Sequence, residues 1–73
     1  MIRYKNLSGN SGVISYEILS NGILVTFRNG TYKYTNRSIG HLNITRMKKL
    51  AEAGRGLSTF IAKYGKENYE SKY

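Results

Sequence analysis

The chain contains no cysteine, no proline, no tryptophan and no aspartate, and a single histidine, His41. Without cysteine there is neither a disulfide framework nor a thiolate metal site, a usage that fits a reducing compartment. One histidine and four glutamates (Glu17, Glu52, Glu67, Glu70) offer little from which to assemble a catalytic set. His41 stands in a poorly patterned segment and reads as a surface residue. No metal motif, nucleophile elbow or P-loop occurs, and Gly54-Arg55-Gly56 is too short a glycine signal to mean phosphate binding. The expectation is a non-enzymatic protein with no cofactor, no metal and no small-molecule substrate. No apolar run is long enough for a signal peptide or a membrane span, so a cytoplasmic protein with no membrane partner is expected.

Positive charge is what the chain has in excess. Twelve Lys and Arg against four Glu give a formal charge of +8 on 73 residues. Such a charge attracts polyanions and supplies affinity through counterion release. A body this small makes one domain, and it buries only roughly two-thirds of the surface that its unfolded chain exposes.

Two Asn-Gly pairs, Asn21-Gly22 and Asn29-Gly30, each sit between runs of alternating apolar and polar residues, the pattern of two consecutive β-hairpins. Strands are expected at about Val13 to Leu19, Ile23 to Arg28 and Thr31 to Thr35. Two-residue turns at the Asn-Gly pairs set Leu19 opposite Leu24 and Phe27 opposite Tyr32. One face then carries Ile14, Tyr16, Ile18, Ile23, Val25, Phe27, Tyr32 and Tyr34, and must be buried. The other, with Val13, Ser15, Glu17, Leu19, Leu24, Thr26, Arg28, Thr31, Lys33 and Thr35, can meet water or a polar partner. Met1 to Leu7 alternates in the manner of an edge strand or arm beside the first hairpin, and Ser8 to Gly12 is a loop by composition.

After Thr35 the period lengthens. Ile44, Met47, Leu50 and Ala51 share one side of a helix, with Thr45, Arg46, Lys49 and Glu52 on the other, Asn43 as N-cap and Gly54 at its C-terminal end. Residues 36–42 form either an irregular connection or an early turn of that helix. Leu57, Phe60, Ile61 and Tyr64 mark a second short helix, ended by Gly65, before a polar tail over 66–73 that is frayed or weakly helical. Both helices lay their apolar stripes on the sheet. The expected fold is α+β: an antiparallel β-meander of three to four strands with two C-terminal helices packed on one face, in a single domain over 1–73 with its core at about 11–65.

Tyr32 and Tyr34 admit two readings. Aromatics on adjacent strands stack bases in RNA-binding sheets, but the register places both on the side of Val25 and Phe27, which favours core packing with the phenol oxygens at the rim. Glu17 is expected to interact across the strands with Lys33, and Glu52 to pair with Lys48. Few acids remain to neutralise Arg28 and Lys33 on the open sheet face, Arg37 in the connection, or Arg46, Lys49 and Arg55 on the first helix and its exit.

The order of motifs resembles the KTSC domain family. The likeness rests on Val13-Ile14-Ser15-Tyr16-Glu17, a hairpin into Leu24 to Arg28 and the Tyr32-Lys33-Tyr34 motif, then a helix, Ala53-Gly54-Arg55-Gly56 and a closing Phe60-Ile61-Ala62-Lys63-Tyr64. It spans Ser11 to Tyr64. Where members of that family place Val-Pro shortly after the Tyr-x-Tyr motif, this chain has Asn36-Arg37-Ser38-Ile39. The family is named for the C-terminus of some lysyl-tRNA synthetases, and that attachment implies RNA binding by analogy.

Charge and resemblance together lead to a nucleic-acid-binding module, for RNA rather than DNA, that holds phosphates with Arg28, Lys33, Arg37, Arg46, Lys49 and Arg55. The alternative is a small phage or mobile-element inhibitor that docks on a protein of the host nucleic-acid machinery, such as a CRISPR complex. It would use Leu19, Leu24 or the tail tyrosines as apolar anchors.

Overall fold

A computed structural model describes residues 1–7, 9, 11–65 and 67–73. Ser8 and Asn10 of the expected loop, and Lys66 of the expected tail, lie outside the described residues. The fold is α+β. Among the described residues five antiparallel strands run β1 (Ile2–Arg3), β2 (Val13–Leu19), β3 (Gly22–Phe27), β4 (Gly30–Thr35) and β5 (Ser71–Lys72), each hydrogen-bonded to the next in chain order. Between β4 and β5 lie three helices, α1 (Asn36–Ile39), α2 (His41–Ala53) and α3 (Leu57–Phe60), the last continuing into a π-helical turn over Ile61–Gly65.

Both hairpins form, but each is slipped by two residues from the expected register. Leu19 pairs with Gly22 and Phe27 with Gly30, so the two-residue loops are Ser20-Asn21 and Arg28-Asn29, with each glycine opening the next strand. Neither asparagine adopts a positive φ. The glycines answer to close approach, a Cβ on Gly22 running into the Tyr34 carbonyl oxygen and one on Gly30 standing 2.8 Å from the Tyr73 carbonyl oxygen, and Gly30 also takes a φ of +142° that side chains rarely adopt. A slip of two residues preserves side-chain parity. The buried face therefore survives, with Tyr16, Ile23, Val25 and Tyr34 packed against Ile44, Met47, Ala51, Leu57, Phe60 and Ile61.

Val13 and Ile14 exchange faces, Ile18 is exposed (37%) near the first turn, and Thr35, expected on the open face, is fully buried with its hydroxyl on Glu70. Val13 faces Phe27 while Ser15 faces Thr26, so Ile14 is an extra residue in β2, a bulge that turns Val13 inward (3% exposed) and Ile14 outward (48% exposed). The Ile14 carbonyl accepts the Tyr4 N–H at 3.0 Å, tying the bulge to the N-terminal strand.

The fourth and fifth strands come from the two chain ends. β1 pairs Ile2 with Tyr16 and Arg3 with Ser15, and the next inward residue, Tyr4, is buried with its hydroxyl accepting the Leu57 N–H. The expected frayed tail is instead β5, with Lys72 beside Tyr32 and Ser71 beside Lys33. Tyr69 packs on the core edge-to-face with Tyr32 (centroids 4.9 Å apart) and Tyr34 (6.5 Å). The core thus extends beyond 11–65 at both ends.

Residues 36–42 resolve into a helical turn and a start. Thr35 is the N-cap of α1 in a reciprocal capping box: Thr35 Oγ1 accepts the Ser38 N–H and Ser38 Oγ accepts the Thr35 N–H. Gly40 then breaks the chain and α2 begins at His41, two residues before the expected cap; Asn43 lies inside the helix, its amide donating to the Ile39 carbonyl. At the far end Gly54, in the left-handed region, closes α2 through its N–H to Leu50 and Ala51.

Candidate nucleic-acid interface

The amphipathic spacing of α2 buries Ile44, Met47 and Ala51 and leaves Thr45, Arg46 and Lys49 exposed, as the 3.6-residue period requires. The second helix departs from its period. In a continuous α-helix Tyr64 would follow Leu57, Phe60 and Ile61 into the core. The wider π turn over Ile61–Gly65 interposes extra arc, so Tyr64 swings outward and is 53% exposed, while Gly65 is drawn in against the Tyr34 ring.

Tyr64 remains tilted on Phe60, with ring centroids 5.0 Å apart. The displaced ring forms one wall of a groove of about 590 Å³ between α2 and α3, in which Arg46, Lys49, Thr45 and Leu42 line the other. No acidic residue lines it.

A second basic cleft, of about 340 Å³, lies where β1 and the chain after it meet the turn between β3 and β4. Arg3, Lys5 and Arg28 line it with Asn6 and Ser11, again without an acid. Arg28 belongs to this turn rather than to the open sheet face, a consequence of the slipped register.

The remaining expected residues are placed separately. Lys33 stands on the open face of β4, and Glu70 occupies its ammonium at 3.7 Å, the one ion pair among the described residues. Glu17 and Lys33 still flank a single β3 residue, Leu24 in place of the expected Thr26, but the Lys33 ammonium pairs with Glu70 and not with Glu17. Lys48 donates to the Leu19 carbonyl at 2.9 Å, tying α2 to the first hairpin instead of pairing with Glu52. Arg37 on α1 and Arg55 in the turn after α2 are exposed and line neither cleft. Of the six residues expected to hold phosphates, only Arg46 and Lys49 share a groove. Arg3, Lys5 and Tyr64 are additions that the sequence reading misses; the alternation of Arg3 and Lys5 with Ile2 and Tyr4 is the signal that could have found the first two.

The Tyr-x-Tyr pair is structural. Tyr34 is fully buried, and burial together with the neighbouring Tyr32 and Tyr69 pushes its phenol pKa up to about 12. Tyr32 is half-buried among Phe27, Tyr69 and the Lys72 ammonium, which lies 5.2 Å from its ring centroid, and its hydroxyl accepts from the Asn29 amide. Both rings also line a cleft of about 190 Å³ with Phe27, Asn29 and Ile61, which has no cationic residue in its lining.

His41 opens α2 on the surface, its carbonyl accepting from the Thr45 hydroxyl. Among the described residues no helix is long and apolar enough to cross a membrane, and no three His, Cys, Asp or Glu side chains cluster as metal ligands would. Comparison of the chain with protein-family models, curated proteins and solved structures finds no match.

Proposed function

We propose that this chain is a non-enzymatic, cytoplasmic nucleic-acid-binding module with RNA as its partner. The observation that carries the reading is the pair of cationic clefts without a single acidic lining residue, on a chain of formal charge +8. A surface that neutralises phosphates gains affinity from released counterions, and cations left free of internal ion pairs are the ones able to do so. The motif order that resembles the KTSC domain supports the same reading by analogy.

The six basic residues expected from the sequence enter this proposal unequally. Arg46 and Lys49 form one binding patch, and Arg28 joins Arg3 and Lys5 in another. Arg37 and Arg55 act as isolated exposed charges. Lys33 is available only once Glu70 releases it.

Affinity purification of the full chain, with and without nuclease treatment, tests the proposal. RNA should co-purify and be lost on ribonuclease digestion. A stoichiometric protein that survives nuclease would replace this reading with the inhibitor class. The anchors foreseen for that class are only partly available: Leu19 and Leu24 are half-buried and Tyr69 packs on the core, leaving Tyr73 exposed.

A further inference from the structure

Within that nucleic-acid reading, we infer that the groove between α2 and α3 is a single-stranded RNA subsite in which one unstacked base lies on Tyr64 and the flanking phosphates meet Arg46 and Lys49. Three features of the groove lead there. Its size, about 590 Å³, suits a nucleotide. Its walls pair an exposed aromatic ring with two cations and no acid, the combination that holds single strands by stacking and charge together. The ring is in the groove only because the helix widens into a π turn at Ile61–Gly65, a local departure that often marks a binding site.

Duplexes fit this arrangement poorly, since their bases are stacked on one another and offer no free face to a tyrosine. Ribose is favoured over deoxyribose by what lies beside the cations. The Thr45 hydroxyl spends its one proton on the His41 carbonyl at 3.0 Å and is left as an acceptor, while Asn43, one amide proton given to the Ile39 carbonyl, keeps its Oδ1 as an acceptor beside a second N–H. Both line the groove. A 2′-hydroxyl is the donor that RNA has and DNA lacks.

Tyr64 is more than half exposed, so its replacement should leave the fold intact, which circular dichroism verifies for each variant. The test is fluorescence anisotropy of a short labelled oligouridylate at low salt with the full chain. Tyr64→Ala should weaken binding about tenfold, the effect of losing one stacked base, whereas Tyr64→Phe should stay within about twofold of the parent. Replacing Arg46 and Lys49 together by Gln should lower the slope of log K against log salt by roughly 1.4, or 0.7 for each phosphate no longer neutralised. The deoxy strand and a duplex RNA of matched length should bind several-fold more weakly. Undiminished binding by Tyr64→Ala while the parent binds, or equal affinity for the deoxy strand or the duplex, overturns this subsite and leaves the wider reading standing. Failure of the parent to bind any nucleic acid overturns both.

Discussion

Thr35 donates its hydroxyl proton to Glu70 at 2.9 Å, joining the end of β4 to the C-terminal segment across 35 residues. The same oxygen accepts the Ser38 N–H and so caps α1, while the same carboxylate, through its other oxygen, holds Lys33. A helix cap, a strand edge and a cation are therefore coupled through two side chains. Thr35 is fully buried, so its hydroxyl has no water to fall back on.

Replacing Thr35 by Val removes the cap and orphans the Ser38 N–H. The expected loss is about 1–2 kcal/mol, read as a lower urea midpoint at unchanged m-value. Glu70→Gln keeps an oxygen for Thr35 but frees Lys33. If Lys33 then reaches a phosphate, the salt slope of RNA binding steepens by about 0.7; an unchanged slope removes Lys33 from the interface.

Tyr34 gives a signature at alkaline pH. Its proton is held more tightly in the folded chain, with a pKa of about 12 against 10.0 for a free phenol. The native state therefore binds more protons over that window. Stability from this source is complete below pH 10 and declines as pH rises towards 12. Tyr34→Phe should flatten the decline between those limits relative to the parent, measured by urea unfolding across the range. Parallel curves for the two proteins would contradict the assignment.

Two glycines should differ in what they tolerate. A Cβ on Gly22 meets the Tyr34 carbonyl and the Thr35 backbone, which can move only if β3 and β4 part, so Gly22→Ala should cost roughly 3 kcal/mol or more. On Gly54, at φ +79°, a Cβ meets the Lys5 stem at 2.6 Å, on a segment held there by the Leu7 N–H to the Gly54 carbonyl. Gly54→Ala should be destabilising through both its left-handed backbone and the Lys5 Cβ, but milder, since the clash falls on a side chain rather than on a paired strand's backbone. Thermal unfolding of the two variants gives the order.

Tyr69→Ala tests whether the last residues belong to the fold. Losing the ring that packs on Tyr32 and Tyr34 should cost roughly 2 kcal/mol and raise amide exchange at Thr31, whose N–H donates to the Tyr73 carbonyl, and at Glu70, whose N–H donates to the Lys33 carbonyl. A tail that merely frays would show neither change.

The inner and outer faces of the sheet are legible in the sequence because alternation has period two, and an error of two residues in both turns does not by itself move a side chain to the other face. What the Asn-Gly pairs do not reveal is that Gly22 answers to distant backbone, the Tyr34 carbonyl, and that Gly30 adds close approach to the Tyr73 carbonyl to its positive φ. The exchange of Val13 and Ile14 is hidden for a similar reason: the bulge is tied to Tyr4, ten residues earlier, and no local pattern records that bond. β5 is hidden by its polarity and by its length of two residues.

The candidate site is readable to the extent that it lies on a regular helix. Arg46 and Lys49, three residues apart, follow the period of α2 onto one groove. Tyr64 follows the same rule into the core on paper and escapes it through the π turn. Lys33 does stand on the open face, as its parity requires, but its partner comes from the segment that reads as a tail.

The central claim is that unneutralised cations on this small fold hold the phosphates of RNA. Its most direct test is the affinity of the intact chain for a single-stranded RNA measured across a series of salt concentrations. Engagement of three or more phosphates predicts a straight line in which log K falls by roughly two or more for each tenfold rise in salt. A flat line, or no binding at the lowest salt, would contradict it.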